Sequence, residues 1–199
     1  MTYEETERKG KNYLVTAGTD EAGRGPLAGP VVAAAVILTQ SHFEILLSLG
    51  LRDSKKLSPK KREIIFEKMC SIGVPWRAQA ASPRVIDKIN ILNASLWCMK
   101  RSVERLPLRP QLVMVDGNRS IPGLAIPQRT IIGGDDTVPA IAAASVAAKV
   151  LRDRVMTVLD RIYPEYQFSK HKGYPTALHK SLIAEFGASC IHRMTFKMD

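Results

Sequence analysis

An α/β fold is predicted, with a mixed sheet flanked by helices and a helical C-terminal region. Three observations predict it. Short, β-branched apolar runs recur between clusters of turn residues. Longer segments carry apolar or small residues at helical spacing. The strand-like runs come first and alternate with helices later, the order of a sheet covered on its faces by helices.

Each element has its own signal. Residues 13–19 (YLVTAGT) are short, β-branched and bounded by charge, and read as the first strand. Residues 30–38 (PVVAAAVIL) read as the second. Gly23, Gly25, Pro26 and Gly29 between them predict a tight turn and an antiparallel pair. Ser58 followed by Pro59 predicts a capped helix over 60–69. A third strand is expected over 76–81. In 91–106, Ile91, Leu92, Leu96, Met99 and Val103 fall at helical spacing, and Pro107 ends the segment. Residues 111–115 (QLVMV) read as a buried strand ending at Asp116, and 129–132 as another, closed by Gly133 and Gly134. Residues 138–162 form a long alanine-rich helix. Its stripe of Ile141, Ser145, Ala148 and Arg152 suits close packing on a sheet. A last helix is expected over 177–186. The whole of 1–199 reads as one domain, with 1–12 as a flexible N-terminal extension.

Composition narrows the function. The chain has 199 residues, 45% hydrophobic and 24% charged, enough apolar material for a real core. No apolar run is long enough for a membrane span, and the polar N-terminus lacks the apolar centre of a secretory signal. No membrane partner and a cytoplasmic location are therefore expected. Cys70, Cys98 and Cys190 are odd in number and far apart, so free thiols are expected rather than a disulfide framework. Lys and Arg number 29 against 19 Asp and Glu, a net charge of +10. That excess points to a polyanionic partner, because cations on a protein release counterions from phosphates.

Within this basic chain three acidic stretches stand out. Asp20 and Glu21 follow the first strand, where a turn would let both carboxylates reach one cation. Asp116 ends an apolar strand, a place where α/β proteins carry functional groups. Asp135 and Asp136 follow a Gly-Gly pair just before the alanine-rich helix. Clustered carboxylates repel unless a counterion sits among them, and hard oxygen ligands favour Mg²⁺ or Mn²⁺. With a polyanionic partner the chemistry is phosphodiester hydrolysis. The same residues could instead cap turns and helices. Asp153 lies four residues after Lys149 in a helix and reads as a structural ion pair.

The basic residues gather in loops. Gly23-Arg24-Gly25 lies just past the acidic pair, and its backbone could approach a sugar hydroxyl, the group that separates RNA from DNA. Asp53-Ser54-Lys55-Lys56-Leu57 and residues 169–176 (SKHKGYPT) combine lysines with hydroxyls and one aromatic, suited to backbone contact and stacking. Ser145 and Lys149, one turn apart, could take a phosphate. His42, His171, His179 and His192 show no zinc-like spacing, and no G-x-S-x-G turn marks a serine hydrolase.

Residues 20–32 (DEAGRGPLAGPVV) resemble the opening signature of bacterial ribonuclease HII, a type 2 ribonuclease H. DSKKL at 53–57, VDGN at 115–118, AASVAAKVLRDR at 143–154, HKGYPT at 171–176 and IHRMTF at 191–196 are similar to further family blocks, in the same order. The resemblance implies an RNase H-like fold with a five-stranded mixed sheet. It implies catalytic, metal-binding carboxylates at Asp20, Glu21, Asp116 and Asp135, holding two divalent ions, Mn²⁺ or Mg²⁺. The family pattern places the fourth carboxylate six residues before Ile141, at Asp135; Gly133 stands where a Lys is usual, and Asp136 remains an alternative. It further implies that Gly23, Arg24 and Gly25 read the 2′-hydroxyl, that Tyr174 stacks on the next sugar, and that Lys55, Ser145 and Lys149 hold phosphates. The implied partners are an RNA–DNA hybrid or duplex DNA containing ribonucleotides. A monomer is expected, and the short C-terminal tail shows no obvious sliding-clamp motif. The rival readings are a non-catalytic nucleic-acid-binding module, which clustered acids do not serve; a ribonuclease H of another type, ribonuclease HIII, whose extra N-terminal domain this chain is expected to lack; and a phosphohydrolase of small substrates, which needs neither the glycine turn nor two basic loops.

Overall fold

The computed structural model describes residues 15–51 and 57–198. The expected extension over 1–12 and most of the 53–57 loop, Lys55 included, lie outside the described residues.

Five strands form one mixed sheet in the order β3-β2-β1-β4-β5. They are β1 (Thr16–Ala22), β2 (Val31–Ile37), β3 (Trp76–Ala81), β4 (Leu112–Asp116) and β5 (Gln128–Ile131). β2 pairs antiparallel with β1 and β3, whereas β4 pairs parallel with β1 and β5. The helices are α1 (Gln40–Ser48), α2 (Pro59–Ser71), α3 (Pro83–Ile89), α4 (Ile91–Glu104), α5 (Gly134–Thr137), α6 (Pro139–Ile162), α7 (Phe168–His171) and α8 (Ala177–Phe186).

β2 is buried at every position, so its sequence is a continuous apolar run rather than an alternation. Ala34 and Val36 face the core beneath α1, α2 and α6; Val31, Ala33 and Ala35 face the core beneath α4. The alternation of two along the strand thus serves two layers of helix. Small residues let α6 lie close on the sheet. A Cβ on Gly18 of β1 would stand 2.3 Å from the main chain of Ala140 and Ile141. A third, smaller cluster of Ala28, Met156, Tyr166, Phe168 and Leu182 seats the C-terminal helices.

Several expectations shift. The first strand runs three residues further than its apolar run, because β2 pairs with it as far as Ala22↔Val32. Asp20 and Glu21 therefore belong to β1 and do not begin a turn. The connection to β2 is not a tight turn but an eight-residue loop, residues 23–30. Asp153 pairs with Arg62 of α2 at 3.5 Å, a bond between helices rather than the expected one along α6. Ser58 caps α2 as expected, with its Oγ accepting from the Lys61 amide at 3.3 Å. The three cysteines are free thiols. No described helix is long and apolar enough to cross a membrane.

Candidate active site

The parallel pairing of β1 and β4 positions the first carboxylates. Their register ends at Thr19↔Val115, so Asp20 and Asp116 stand on neighbouring strands one residue further on, at the same end of that pairing. Loops beyond the carboxyl ends of parallel strands are where such sheets bind ligands. Asp116 Oδ1 accepts a hydrogen bond from the Gly134 amide at 2.8 Å, which draws the next acidic stretch to this edge. Packing is tight there: a Cβ on Gly134 would meet the tip of the Ile141 side chain, Cδ1, at 2.5 Å and Asp116 Oδ1 at 3.3 Å, so both side chains would have to shift. Asp135 then enters the first turn of α5 buried, 4% exposed, while Asp136 is exposed.

Adjacent strand residues face opposite ways, and here they do. Asp20 turns towards α6, buried at 6% exposure beside Ser145. Glu21 turns towards α4 and, with Asp116, Arg24 and Arg119, lines a cavity of about 290 Å³. Arg24 Nη1 lies 3.2 Å from Glu21 Oε1. Among the described residues, no three acidic, His or Cys side chains stand close enough to ligate one ion in their present rotamers.

The electrostatics describe carboxylates whose burial and mutual repulsion are only partly offset, by Arg24 at Glu21 and by hydrogen bonding at Asp20. Burial, then the charge of Glu21, and in smaller part that of Asp116, push the Asp20 carboxyl up to about 8; the Glu21 amide, donating to Asp20 Oδ1 at 2.7 Å, opposes this. Glu21 is raised too, by burial first and also by Asp116, against the pull of Arg24. Ser145 Oγ is fully buried and meets no partner at standard hydrogen-bond geometry. It lies beside Asp20 and favours the ionised carboxyl. A set of hard oxygen donors whose charges repel, beside an orphaned hydroxyl, fits a divalent cation, which would reverse these shifts.

Beyond Ala22 opens a larger cleft of about 960 Å³, lined among others by Arg62, Lys149, Arg154, Lys170, Lys172 and Tyr174. Lys149 is half-buried in its wall; Tyr174 is 47% exposed. Ser145, expected at a phosphate, is wholly buried at Asp20 instead. Arg24 and Gly25 are exposed, while Gly23 is buried against Arg152 at φ 96°. A Cβ on Gly25 would stand 3.8 Å from Tyr174 Cε1, so the turn and the tyrosine flank one gap.

The residues that hold this gap were not singled out in the sequence. Arg193, fully buried, donates to the carbonyls of Gly23, Arg24 and Gly29. Burial, then the charge of Arg152, press its guanidinium down to about 9. His179 Nδ1 bonds the Tyr174 carbonyl at 3.0 Å. The only sequence trace of Arg193 is its place in the 191–196 block.

Comparison with known proteins bears on this site. The family model described as Ribonuclease HII matches residues 17–199. The ribonuclease HII of Shewanella oneidensis is 49% identical over 92% of this chain and 88% of its own. That of Acaryochloris marina is 48% identical over 90% and 91%. Among solved structures, the RNase HII of Archaeoglobus fulgidus, in complex with PCNA, superposes with TM-score 0.78 at 29% identity, over 92% of this chain and 96% of that one. The Pyrococcus horikoshii ribonuclease H2 gives 0.76 at 28%, over 92% and 94%. Bst-RNase HIII, solved with Mn²⁺, shares the fold at TM-score 0.75 and 18% identity, over 93% of this chain and 68% of that one.

Proposed function

This chain belongs to the ribonuclease HII family and is thus a ribonuclease H-type endonuclease; on that premise we propose that it cuts the RNA strand of RNA–DNA hybrids and nicks DNA 5′ to single embedded ribonucleotides. Asp20, Glu21, Asp116 and Asp135 would hold two divalent ions, Mg²⁺ or Mn²⁺, which when bound supply an activated water and stabilise the departing 3′-oxygen. Asp135 is preferred over Asp136 because it is buried beside the Asp116–Gly134 bond, whereas Asp136 faces solvent.

The chain's own residues do the rest. Lys149, with Lys170 and Lys172 along the same cleft, offers cations to the backbone phosphates. The backbone of Gly23, Arg24 and Gly25 faces the sugar, where a 2′-hydroxyl distinguishes the substrate. The exposed ring of Tyr174 packs on the sugar that follows. Products would carry 5′-phosphate and 3′-hydroxyl ends.

One observation carries this reading: the parallel pairing of β1 with β4 stops at Thr19↔Val115, leaving Asp20 and Asp116 side by side just beyond it, with Asp135 brought in through Gly134. The test is a labelled RNA–DNA hybrid with Mg²⁺ or Mn²⁺. Cleavage of the RNA strand, abolished by chelator and absent on all-DNA duplex, is expected. Binding that survives chelator with no product in either metal would instead leave a nucleic-acid-binding module.

A further inference from the structure

Two buried arginines grip one loop from beneath. Arg193 is 0% exposed and Arg152 is 2%. Arg193 Nη2 donates to Gly23 O at 2.6 Å and to Gly29 O at 2.9 Å; Nη1 donates to Arg24 O at 3.0 Å, and Nε to Gly29 O at 3.0 Å. Arg152 Nε donates to Pro30 O at 3.0 Å, and its Nη2 to Ala28 O at 3.3 Å and Lys172 O at 2.9 Å.

Burying a cation is costly, and apolar side chains of similar volume often stabilise such places equally well. What they lack is a planar fork that fixes several acceptors at set separations. The acceptors here are not scattered. They run from Gly23 to Pro30, the loop that leaves the Asp20–Glu21 strand end. The remaining one, Lys172 O, belongs to the segment that carries Tyr174. The Arg152 guanidinium also lies 5.7 Å from the centre of the Tyr174 ring. The two arginines therefore span the gap between the glycine turn and the tyrosine.

Resting on the function proposed above, we infer that Arg193 and Arg152 are positioning residues: they set the Gly23-Arg24-Gly25 turn against Tyr174, so that a bound ribonucleotide presents its phosphate to the carboxylates. Arg193 is wholly enclosed, and Arg152, 2% exposed, only backs the wall of the cleft. Displacement of a turn by about 1 Å is enough to lower turnover a hundredfold at a well-aligned site. The phosphate contacts of the cleft, which dominate binding, are left in place.

The test compares Arg193→Lys and Arg152→Lys with Leu46→Ala, a core truncation under α1 that touches none of these residues. Lysine keeps the charge but cannot span the same carbonyls from one nitrogen. All are assayed on a single-ribonucleotide duplex, at a temperature where circular dichroism shows each folded. Both lysine variants are expected to lose about tenfold or more in kcat with KM changed less than about threefold. Leu46→Ala stays within about twofold in both, as expected for a distant site. Amide hydrogen exchange gives a second readout that needs no substrate. Arg193→Lys speeds exchange in 23–29 while 112–116 stay as protected as in the wild type. Lysine variants that match Leu46→Ala in kcat and in exchange overturn the inference. A wild-type protein that leaves this duplex uncut overturns the proposed function instead, and the exchange comparison still decides whether the arginines hold the turn.

Discussion

His179 Nε2 and His192 Nε2 face each other at 3.1 Å, with both residues buried. Their outer bonds fix which of them donates. His192 Nδ1 accepts from the Ser189 amide at 2.9 Å, so its proton sits on Nε2. His179 Nδ1 faces the Tyr174 carbonyl and must carry a proton, so its Nε2 accepts. Both rings are neutral in this chain of bonds, and a further proton on either sets two N–H groups against each other. His171 stacks on His179 with ring centres 4.3 Å apart.

A loss of stability in mild acid follows. Burial chiefly, with the neighbouring histidines, pushes His179 down from 6.5 to about 4; His171 and His192 are lowered as well, burial first. The folded values lie below the unfolded one, so this contribution is complete above about 6.5 and is lost as pH falls towards about 4. Urea midpoints measured from pH 7.5 to pH 5 should fall, and His179→Asn should flatten that slope. Parallel slopes for the two proteins would contradict the assignment.

Asp20 acts in the opposite direction. Its folded value of about 8 lies above the ordinary 3.8, so its contribution is complete below the latter and is lost as pH rises through the former. In chelator, Asp20→Asn should melt above wild type at pH 8.5, by at least about 2–4 °C, the shift of one kcal/mol at this chain length. The gap should narrow as pH falls. Added Mn²⁺ should raise the wild-type melting temperature and leave that of Asp20→Asn unmoved.

Tyr174 separates sugar packing from hydrogen bonding. Tyr174→Phe keeps the ring and should keep most of the nicking rate at a single ribonucleotide. Tyr174→Ala removes a stacking contact worth about 1–3 kcal/mol, and that rate should drop about tenfold or more. Equal rates for the two variants would remove the ring from the account.

Gly18 tests how α6 seats on the sheet. Gly18→Ala places a methyl 2.3 Å from the main chain of Ala140, which cannot give way as a side chain would. Destabilisation of about 1–3 kcal/mol or more is expected by chemical denaturation. A stability change within about 0.5 kcal/mol, the range of a surface substitution, would show that the helix can slide.

How far the sequence reached differs by kind of interaction. The strand over 76–81 and the helix over 177–186 have the boundaries their patterns predict, because Trp76 and Ala177 each follow turn residues. α1, α3, α5 and α7 were not predicted. All are short, and α1 begins on a capping box of Thr39 and His42, a pair with His where Glu or Gln is usual. The acidic positions were legible, but the geometry of Asp20 and Glu21 was not, since strand pairing with β2 rather than composition carries β1 to Ala22. Arg152 and Arg193 were invisible as a pair. They bond main-chain carbonyls, which leave no complementary side chain to find, and 41 positions separate them.

The most direct measurement is on a duplex of DNA holding one labelled ribonucleotide, incubated with Mn²⁺ and either wild-type protein or Asp116→Asn. Asp116 is the carboxylate that joins β4 to the Gly134 turn. The account predicts a single nick 5′ to the ribonucleotide in the wild type, reduced about 10³-fold or more in the variant, as when a principal catalytic group is removed. A variant that nicks as fast as wild type would contradict a metal centre built on Asp20, Glu21, Asp116 and Asp135.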